Sequence, residues 1–172
     1  MLKRIKEKLN VKGKLEKVSF WFIRHGQSEG NILGTECLVM NDAPITRKGL
    51  EEAKSIVGYL KEHKVNVTDI YTSPLERSHQ TAEVISQEFK LPVKIKEGLS
   101  ERNWGLWHSL KWQEVSDKLS GMTTDERYTF VPDGGESWKE MEERLLSSLE
   151  EVAGENDAGD NILIITHRGC LR

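Results

Sequence analysis

Apolar residues along the chain alternate between short continuous runs and stripes at helical spacing. VSFWFI (residues 18–23), VTDIYT (67–72) and NILIIT (161–166) are short runs rich in β-branched and aromatic residues, which predict buried strands. A further strand is predicted over residues 91–95, where Pro92 suits a strand end or an edge strand. Residues 97–135 carry no regular pattern and predict an irregular segment.

Three helices are predicted between these strands. Thr46 is a candidate N-cap for the first helix, and SPLE (73–76) and SWKE (137–140) fit capping boxes at the start of the second and third. The third helix is expected to end near Gly154. The apolar stripes on the buried faces are Leu50, Ala53, Val57 and Leu60; Ala82, Ile85 and Phe89; and Trp138, Met141, Leu145, Leu149 and Val152.

This alternation predicts an α/β fold, a three-layer, mostly parallel, doubly wound sheet with helices on both faces. We expect one domain over residues 18–172, preceded by a basic leader over residues 1–17 that carries seven Lys or Arg and two Glu. The leader is interpreted as a solvated segment before the first strand. The alternative is an amphipathic helix with Leu2, Ile5 and Leu9 on one face, bound to an anionic membrane or partner.

Composition narrows the class of protein. With 31% charged residues, 37% hydrophobic residues and a net charge of −3, the chain has the make-up of an ordinary globular protein. No apolar run reaches the ~20 residues of a transmembrane segment, no secretory signal is evident, and the acidic body argues against nucleic-acid binding. Cys37 and Cys170 lie far apart without a CxxC spacing, so we expect ordinary thiols and a cytoplasmic location.

The candidate chemistry lies just after the strands. Ligands of doubly wound sheets bind outside the carboxyl ends of the strands. Arg24 and His25 follow the first strand, Arg77 lies in the opening turns of the next helix, Glu101 follows the third strand, and His167 follows the last. The sequence therefore predicts two arginines, two histidines and one carboxylate on the same rim.

These residue types fit phosphoryl transfer. An arginine fork matches the oxygens of a phosphate. A neutral imidazole can attack phosphorus while a second histidine, kept cationic by the bound anion, stabilises the transferring group, and a carboxylic acid can protonate the leaving oxygen. This chemistry needs no metal ion and no cofactor, and we expect a small phosphorylated substrate.

Five segments in order resemble the histidine phosphatase superfamily, which includes cofactor-dependent phosphoglycerate mutases and many phosphatases. They are FIRHGQSEGN, SPLERSHQTAEVI, LSERNWGLW, PDGGES and IITHRG, and the resemblance runs from about Ser19 to Gly169. It implies that His25 is the phosphorylated nucleophile and Glu101 the proton donor. The residues that it implies around the phosphate are Arg24, Ser28, Asn31, Arg77 and His167.

Two features depart from the family pattern. Arg168 stands where the family usually has a small residue next to the phosphate, so we expect it to crowd the pocket or add a charge. The chain stops at Arg172, five residues after His167, whereas family members continue with a helix and further structure. We therefore expect open apolar surface on this side, and with it low stability, self-association or a partner, and weakened activity.

Other functions stay open at this level. Mutase activity is disfavoured because residues 111–132 hold three basic against four acidic residues, leaving no basic surplus for a bisphosphate. A metal-dependent hydrolase built on His25, Asp42, Glu101 and His167 lacks the HxH, HExxH and DxD spacings. A non-catalytic phosphate-binding or scaffold protein is the third alternative.

Four tryptophans lie in or next to the irregular segment. We expect them to anchor this segment, or alternatively to line an apolar wall: Trp104, Trp107, Trp112 and Trp138.

Overall fold

A four-stranded parallel sheet forms the centre of the computed structural model, which describes residues 18–32 and 42–172. The basic leader over residues 1–17 and Cys37 lie outside the described residues. The strands are β1 (Ser19–Arg24), β2 (Asp69–Thr72), β3 (Val93–Ile95) and β4 (Asn161–Thr166). Their order in the sheet is β1-β4-β2-β3, with β1 paired along its whole length to β4. The predicted parallel sheet is confirmed, and β3 is an edge strand.

Helices cover both faces of this sheet. The helices of the described residues are α1 (Glu29–Ile32), α2 (Arg47–Glu62), α3 (Glu76–Phe89), α4 (Trp112–Leu119), α5 (Thr124–Thr129) and α6 (Trp138–Glu155), of which α2, α3 and α6 pack on the sheet. Ile162 and Ile164 of β4 pack on the α6 side, whereas Leu163 and Ile165 pack against α2 and α3. Because β4 is buried on both faces, its sequence is continuously apolar rather than alternating. The three-layer architecture is therefore confirmed.

The segment over residues 97–135 is more ordered than its sequence predicts. It contains 3₁₀ turns at Glu97–Leu99 and Gly105–Ser109, followed by α4 and α5. A small separate core forms here around Trp104 and Val115, with Trp138 of α6 packed against it. Trp104 thus anchors the segment as expected, but Trp112 keeps 42% of its surface exposed.

Two of the three predicted helix caps are confirmed. The Thr46 hydroxyl accepts from the Gly49 N–H at 3.0 Å, and Ser137 and Glu140 form the expected reciprocal capping box. The capping box predicted at Ser73 is wrong, because α3 begins three residues later, at Glu76, and the Ser73 hydroxyl is bonded to His167 instead. The Glu76 N–H at the start of α3 donates to the carboxylate of Asp42.

The chain after β4 forms one 3₁₀ turn, Gly169–Leu171, which packs beside α6. Within the described residues β1 pairs on one side only, and its apolar side chains Phe20, Trp21, Phe22 and Ile23 are half-buried. The expected self-association through this side stays a prediction. Among the described helices, none combines the length and the apolar character required to cross a membrane.

Candidate active site

Three of the predicted residues, His25, Arg77 and His167, meet at the carboxyl end of the sheet. All three side chains are buried. The rings of His25 and His167 lie 5.1 Å apart between centroids, and Arg77 Nε donates to His25 Nε2 at 3.3 Å. The strand topology therefore brings together residues that are up to 142 positions apart in the chain.

Two glycines allow the loop that carries His25 to pack directly on α2. A Cβ atom on Gly26 would lie 2.5 Å from the Gly49 carbonyl oxygen, and one on Gly49 would lie 2.2 Å from the Gln27 carbonyl oxygen. Neither contact is possible with a larger residue unless the backbone moves. The Gly26 N–H also donates to the Thr81 hydroxyl of α3 at 3.0 Å, so the loop is fixed to both neighbouring helices.

The contacts of the His25 ring place its hydrogen on Nδ1 and its lone pair on Nε2. Nδ1 lies 2.7 Å from the Gly26 carbonyl oxygen, which can only accept, so Nδ1 carries the hydrogen. Burial, and secondarily the charges of Arg77 and Arg24, lower the pKa of His25 to about 4 against the opposing Gly26 hydrogen bond. At neutral pH the imidazole is thus uncharged, with a lone pair on Nε2 facing Arg77.

His167 is fully buried and has only one of its two ring nitrogens satisfied. Nε2 lies 2.7 Å from the Ser73 hydroxyl oxygen, whereas Nδ1 has no partner within the described residues. Burial first, and then the positive charge of Arg77, lower the pKa of His167 well below the ordinary value. The protein alone therefore favours the neutral ring, and a bound phosphate dianion acts in the opposite direction.

Arg77 and Arg24 supply the positive charge of the site. Arg77 is buried in the first turn of α3, and desolvation lowers its pKa while the carboxylates of Glu101 and Asp42 raise it. Arg24 is exposed at the end of β1, yet its charge acts on both histidines. A planar guanidinium beside an unprotonated imidazole nitrogen is suited to binding the oxygens of a phosphate.

The Glu101 carboxylate lies against the turn that follows His167. Oε2 accepts from the Gly169 N–H and Oε1 from the Arg102 N–H, both at 2.9 Å. A Cβ atom on Gly169 would lie only 1.8 Å from Oε1, so glycine is required for this contact. Glu101 is thereby placed close enough to Arg77 for its charge to raise the pKa of that guanidinium.

The loop that carries Glu101 is held by two arginines that sequence reasoning missed. Arg144 of α6 donates to the carbonyl oxygens of Gly98, Ser100 and Glu101, and it pairs with Glu136 at 2.7 Å. Arg102 is 1% exposed, and its guanidinium donates to the carbonyl oxygens of residues 130 and 136. The PDGGES segment contains Glu136, but no local signal in the sequence indicates either arginine.

The Arg102 guanidinium also stacks between two tryptophan rings. It lies 3.9 Å from the Trp104 ring centroid and 4.7 Å from that of Trp138. Burial lowers the pKa of Arg102 to about 10, against the raising effect of Glu136 and Glu101. The arginine stays charged at neutral pH and connects the tryptophan cluster to the loop of Glu101.

Ser28 and Asn31 are placed at the edge of this arrangement. Ser28 is buried and its N–H donates to the Asn31 side-chain oxygen at 3.1 Å, while Asn31 itself is exposed. Within the described part of the chain, no hydrogen bond joins either residue to His25, Arg77 or His167. Their role around the phosphate stays a prediction.

The remaining candidates lie outside the central group. No set of three His, Cys, Asp or Glu side chains within residues 18–32 and 42–172 is arranged to hold a metal ion, and Asp42 is bonded to the start of α3. Arg168 is exposed, and it is not among the charges that lower the pKa of either histidine. Burial raises the pKa of Cys170 to about 11, so this thiol is unreactive at neutral pH.

Known proteins resemble the chain over most of its length. Residues 20–172 match the family model of the histidine phosphatase superfamily, branch 1. The adenosylcobalamin/alpha-ribazole phosphatase of Escherichia coli K12 is 31% identical over 157 residues, which cover 88% of this chain and 74% of that protein. A metal-independent phosphoserine phosphatase of Arabidopsis thaliana is 28% identical over 168 residues, with coverages of 95% and 69%.

The fold is shared with solved structures. A mycobacterial glucosyl-3-phosphoglycerate phosphatase, solved as a complex with VO3, superposes with a TM-score of 0.74 at 24% identity. The match covers 87% of this chain and 75% of that protein. The family model spans nearly the whole described chain, the relatives are phosphatases, and the fold is shared. These findings lead to one conclusion. The chain belongs to the histidine phosphatase superfamily.

Proposed function

We propose that this phosphatase hydrolyses phosphomonoesters without a metal ion, through a phosphohistidine formed on His25. The observation that carries the proposal is the state of the His25 ring, which is buried, neutral at pH 7, and fixed by the Gly26 carbonyl so that Nε2 presents its lone pair beside Arg77. A nucleophile in this state needs no base to activate it.

The reaction has two steps. In the first, the lone pair of His25 Nε2 forms a bond to phosphorus, the ester P–O bond breaks, and the leaving oxygen takes a proton from Glu101. In the second, water attacks the phosphohistidine, the P–N bond breaks, and Glu101 takes the proton of the water. Arg24, Arg77 and His167 stabilise the charge on the phosphoryl oxygens in both steps.

The Glu101 carboxylate is held in a fixed position by two backbone N–H groups, those of Arg102 and Gly169, each 2.9 Å from a carboxylate oxygen. In the proposed reaction the same carboxylate serves as acid in the first step and as base in the second.

Hydrolysis fits the charges of segment 111–132 better than mutase activity does. The basic residues of segment 111–132 are outnumbered by acidic ones, and Lys111, Lys118 and Arg127 are exposed on α4 and α5 or next to them. A second phosphate would meet no cluster of positive charge in this segment.

We propose that the substrate is a small phosphorylated molecule. From the cysteine content we also propose a cytoplasmic location, which cell fractionation tests.

Trapping of the phosphoenzyme tests the nucleophile. The native chain, incubated with a ³²P-labelled phosphomonoester and quenched in base, is expected to retain a label that is stable in base and lost in acid. His25→Asn is expected to abolish both label and turnover, whereas His63→Asn, an exposed histidine at the end of α2, serves as the matched control. Undiminished labelling of the His25 variant, or activity that EDTA abolishes and metal restores, would overturn the proposal.

Comparison of two leaving groups tests Glu101. Glu101→Gln is expected to slow hydrolysis of an alkyl phosphate by about 10² to 10⁴. The same variant should scarcely affect p-nitrophenyl phosphate, because the phenolate leaves without a proton. Equal slowing of the two substrates would remove Glu101 from the acid role.

A further inference from the structure

Ser73 does not have the role that its sequence context predicts. It stands between β2 and α3 in a capping-box pattern, yet the N-cap position of α3 is taken by Leu75 and the Ser73 hydroxyl makes no cap. The side chain is instead fully buried, with its oxygen 2.7 Å from Nε2 of His167. Within the described residues, this nitrogen is the sole hydrogen-bond partner of the Ser73 hydroxyl.

The two tautomers of a neutral His167 differ in how many buried groups they leave unsatisfied. If Nε2 carries the hydrogen, it donates to Ser73, the Ser73 hydroxyl hydrogen has no acceptor, and Nδ1 is left as an unpaired acceptor. If Nδ1 carries the hydrogen, Ser73 donates to Nε2 and the only unpaired group is the Nδ1–H itself. Unsatisfied buried polar groups are costly, so the second arrangement is favoured.

The single group left unpaired is a donor, and the proposed substrate is rich in acceptors. Nδ1 belongs to a ring whose centroid lies 5.1 Å from that of His25, the residue that would receive the phosphoryl group. A phosphoryl oxygen bound between the two histidines would accept from Nδ1–H and satisfy it. Hydrogen bonds of this kind, to a charged acceptor, are the stronger class.

We infer that Ser73 is a positioning residue, whose hydroxyl donates to His167 Nε2 and thereby keeps the Nδ1–H available for a phosphoryl oxygen. The catalytic consequence rests on the proposed function, but the tautomer itself does not. Ser73 acts through His167 and touches no reacting atom. A neutral His167 can then serve as a donor to the phosphate without being protonated first.

The tautomer is measured directly by NMR. In ¹⁵N-labelled protein near pH 7.5, long-range ¹H–¹⁵N correlations distinguish a protonated from an unprotonated ring nitrogen, and His167→Gln identifies the signals. We expect the native His167 as the Nδ1–H tautomer and Ser73→Ala as a mixture or as the Nε2–H tautomer. A native His167 found as the Nε2–H tautomer would overturn the inference, whether or not the chain is an active phosphatase.

Phosphate binding and turnover give the second readout. Ser73→Ala is expected to weaken binding of inorganic phosphate and to lower kcat/KM for p-nitrophenyl phosphate by about 10- to 100-fold, the loss of one hydrogen bond to a charged group. Ser73→Thr, which keeps the hydroxyl, is expected to retain the Nδ1–H tautomer. A Ser73→Ala protein with native tautomer and native phosphate affinity would remove Ser73 from this role.

Ser78→Ala is the matched control. Ser78 is an equally buried serine whose hydroxyl donates to the Ile165 carbonyl at 3.0 Å and accepts from Thr72 at 2.9 Å, without touching either histidine. Ser78→Ala loses these two hydrogen bonds in the same region of the core, so its stability reports the structural cost of removing a buried serine hydroxyl. In Ser78→Ala, His167 is expected to keep the same tautomer as in the native protein. The same tautomer change in both variants would show a general loosening of the site and overturn the specific role of Ser73.

Discussion

Replacing Gly169 with alanine places a methyl group against the carboxylate of Glu101. The new Cβ atom would lie 1.8 Å from Oε1 and 2.8 Å from the carboxylate carbon. No backbone atom is among these contacts, so the flexible end of the glutamate must move rather than the chain around it. The carboxylate must retreat by about 1.5 Å to reach an ordinary contact distance.

A displacement of this size is large for a catalytic group. Misplacement by about 1 Å can cost roughly 10²-fold in rate, so we expect kcat/KM for an alkyl phosphate to fall by about 100-fold. Turnover of p-nitrophenyl phosphate should fall far less, since its leaving group needs no acid. The lost hydrogen bond from the Gly169 N–H to the carboxylate should lower the free energy of unfolding by about 1.5–3 kcal/mol.

The assay compares the two substrates side by side and follows thermal unfolding by circular dichroism. Gly58→Ala is the control, because a Cβ atom on Gly58 in α2 meets nothing within 4 Å. It should leave both activities unchanged and stabilise the protein by about 0.5–1 kcal/mol, as glycine-to-alanine changes inside helices do. Equal loss of the two activities in Gly169→Ala, or no loss of either, would refute the placement of Glu101 as the proton donor.

Two further predictions concern stability. The pKa of His25 is about 4 in the folded protein and about 6.5 in the unfolded chain, so the unfolded chain takes up the proton first as the pH falls. The free energy of unfolding should therefore decrease between pH 6.5 and pH 4, by up to about 3 kcal/mol from this residue. Urea titrations of the native protein and of His25→Gln at several pH values across this range measure the free energy of unfolding. If this free energy falls with pH as steeply in His25→Gln as in the native protein, the prediction is contradicted. Arg102→Lys should lower stability by about 2 kcal/mol through loss of stacking on Trp104 and Trp138, and thermal unfolding with native stability would contradict this expectation.

Features that depend on neighbours in the sequence were predictable here. The cap at Thr46 and the capping box at Ser137 involve partners three residues away, and the structure confirms both. The strand at residues 161–166 is continuously apolar because it is buried on both faces, which its composition alone indicates. The rim position of His25 and His167 followed from the rule that parallel strands end on the same side of the sheet.

Features that depend on distant partners were not predictable. The capping pattern at Ser73 is as good locally as that at Ser137, but its hydroxyl is within 2.7 Å of a histidine 94 residues away. Arg102 looks like a surface charge in the sequence, but it is buried and stacks on the ring of Trp138. This partner lies 36 residues later, so no local pattern indicates it. Local propensity is overruled wherever a buried polar group needs a partner, since an unsatisfied group costs more than a lost cap.

The turn after β4 therefore controls two groups of the site at once. His167 is oriented by Ser73 at the end of β2, and Gly169, two residues later, holds Glu101 from the opposite loop. Arg144 fixes that loop to α6 through three of its carbonyl groups. Because His167, which we propose binds the phosphate, and the proposed acid Glu101 contact the same turn, a shift of this turn would alter both charge stabilisation and proton transfer. The geometry of the site thus depends on the packing of β2, β4 and α6 as much as on the residues that touch the phosphate.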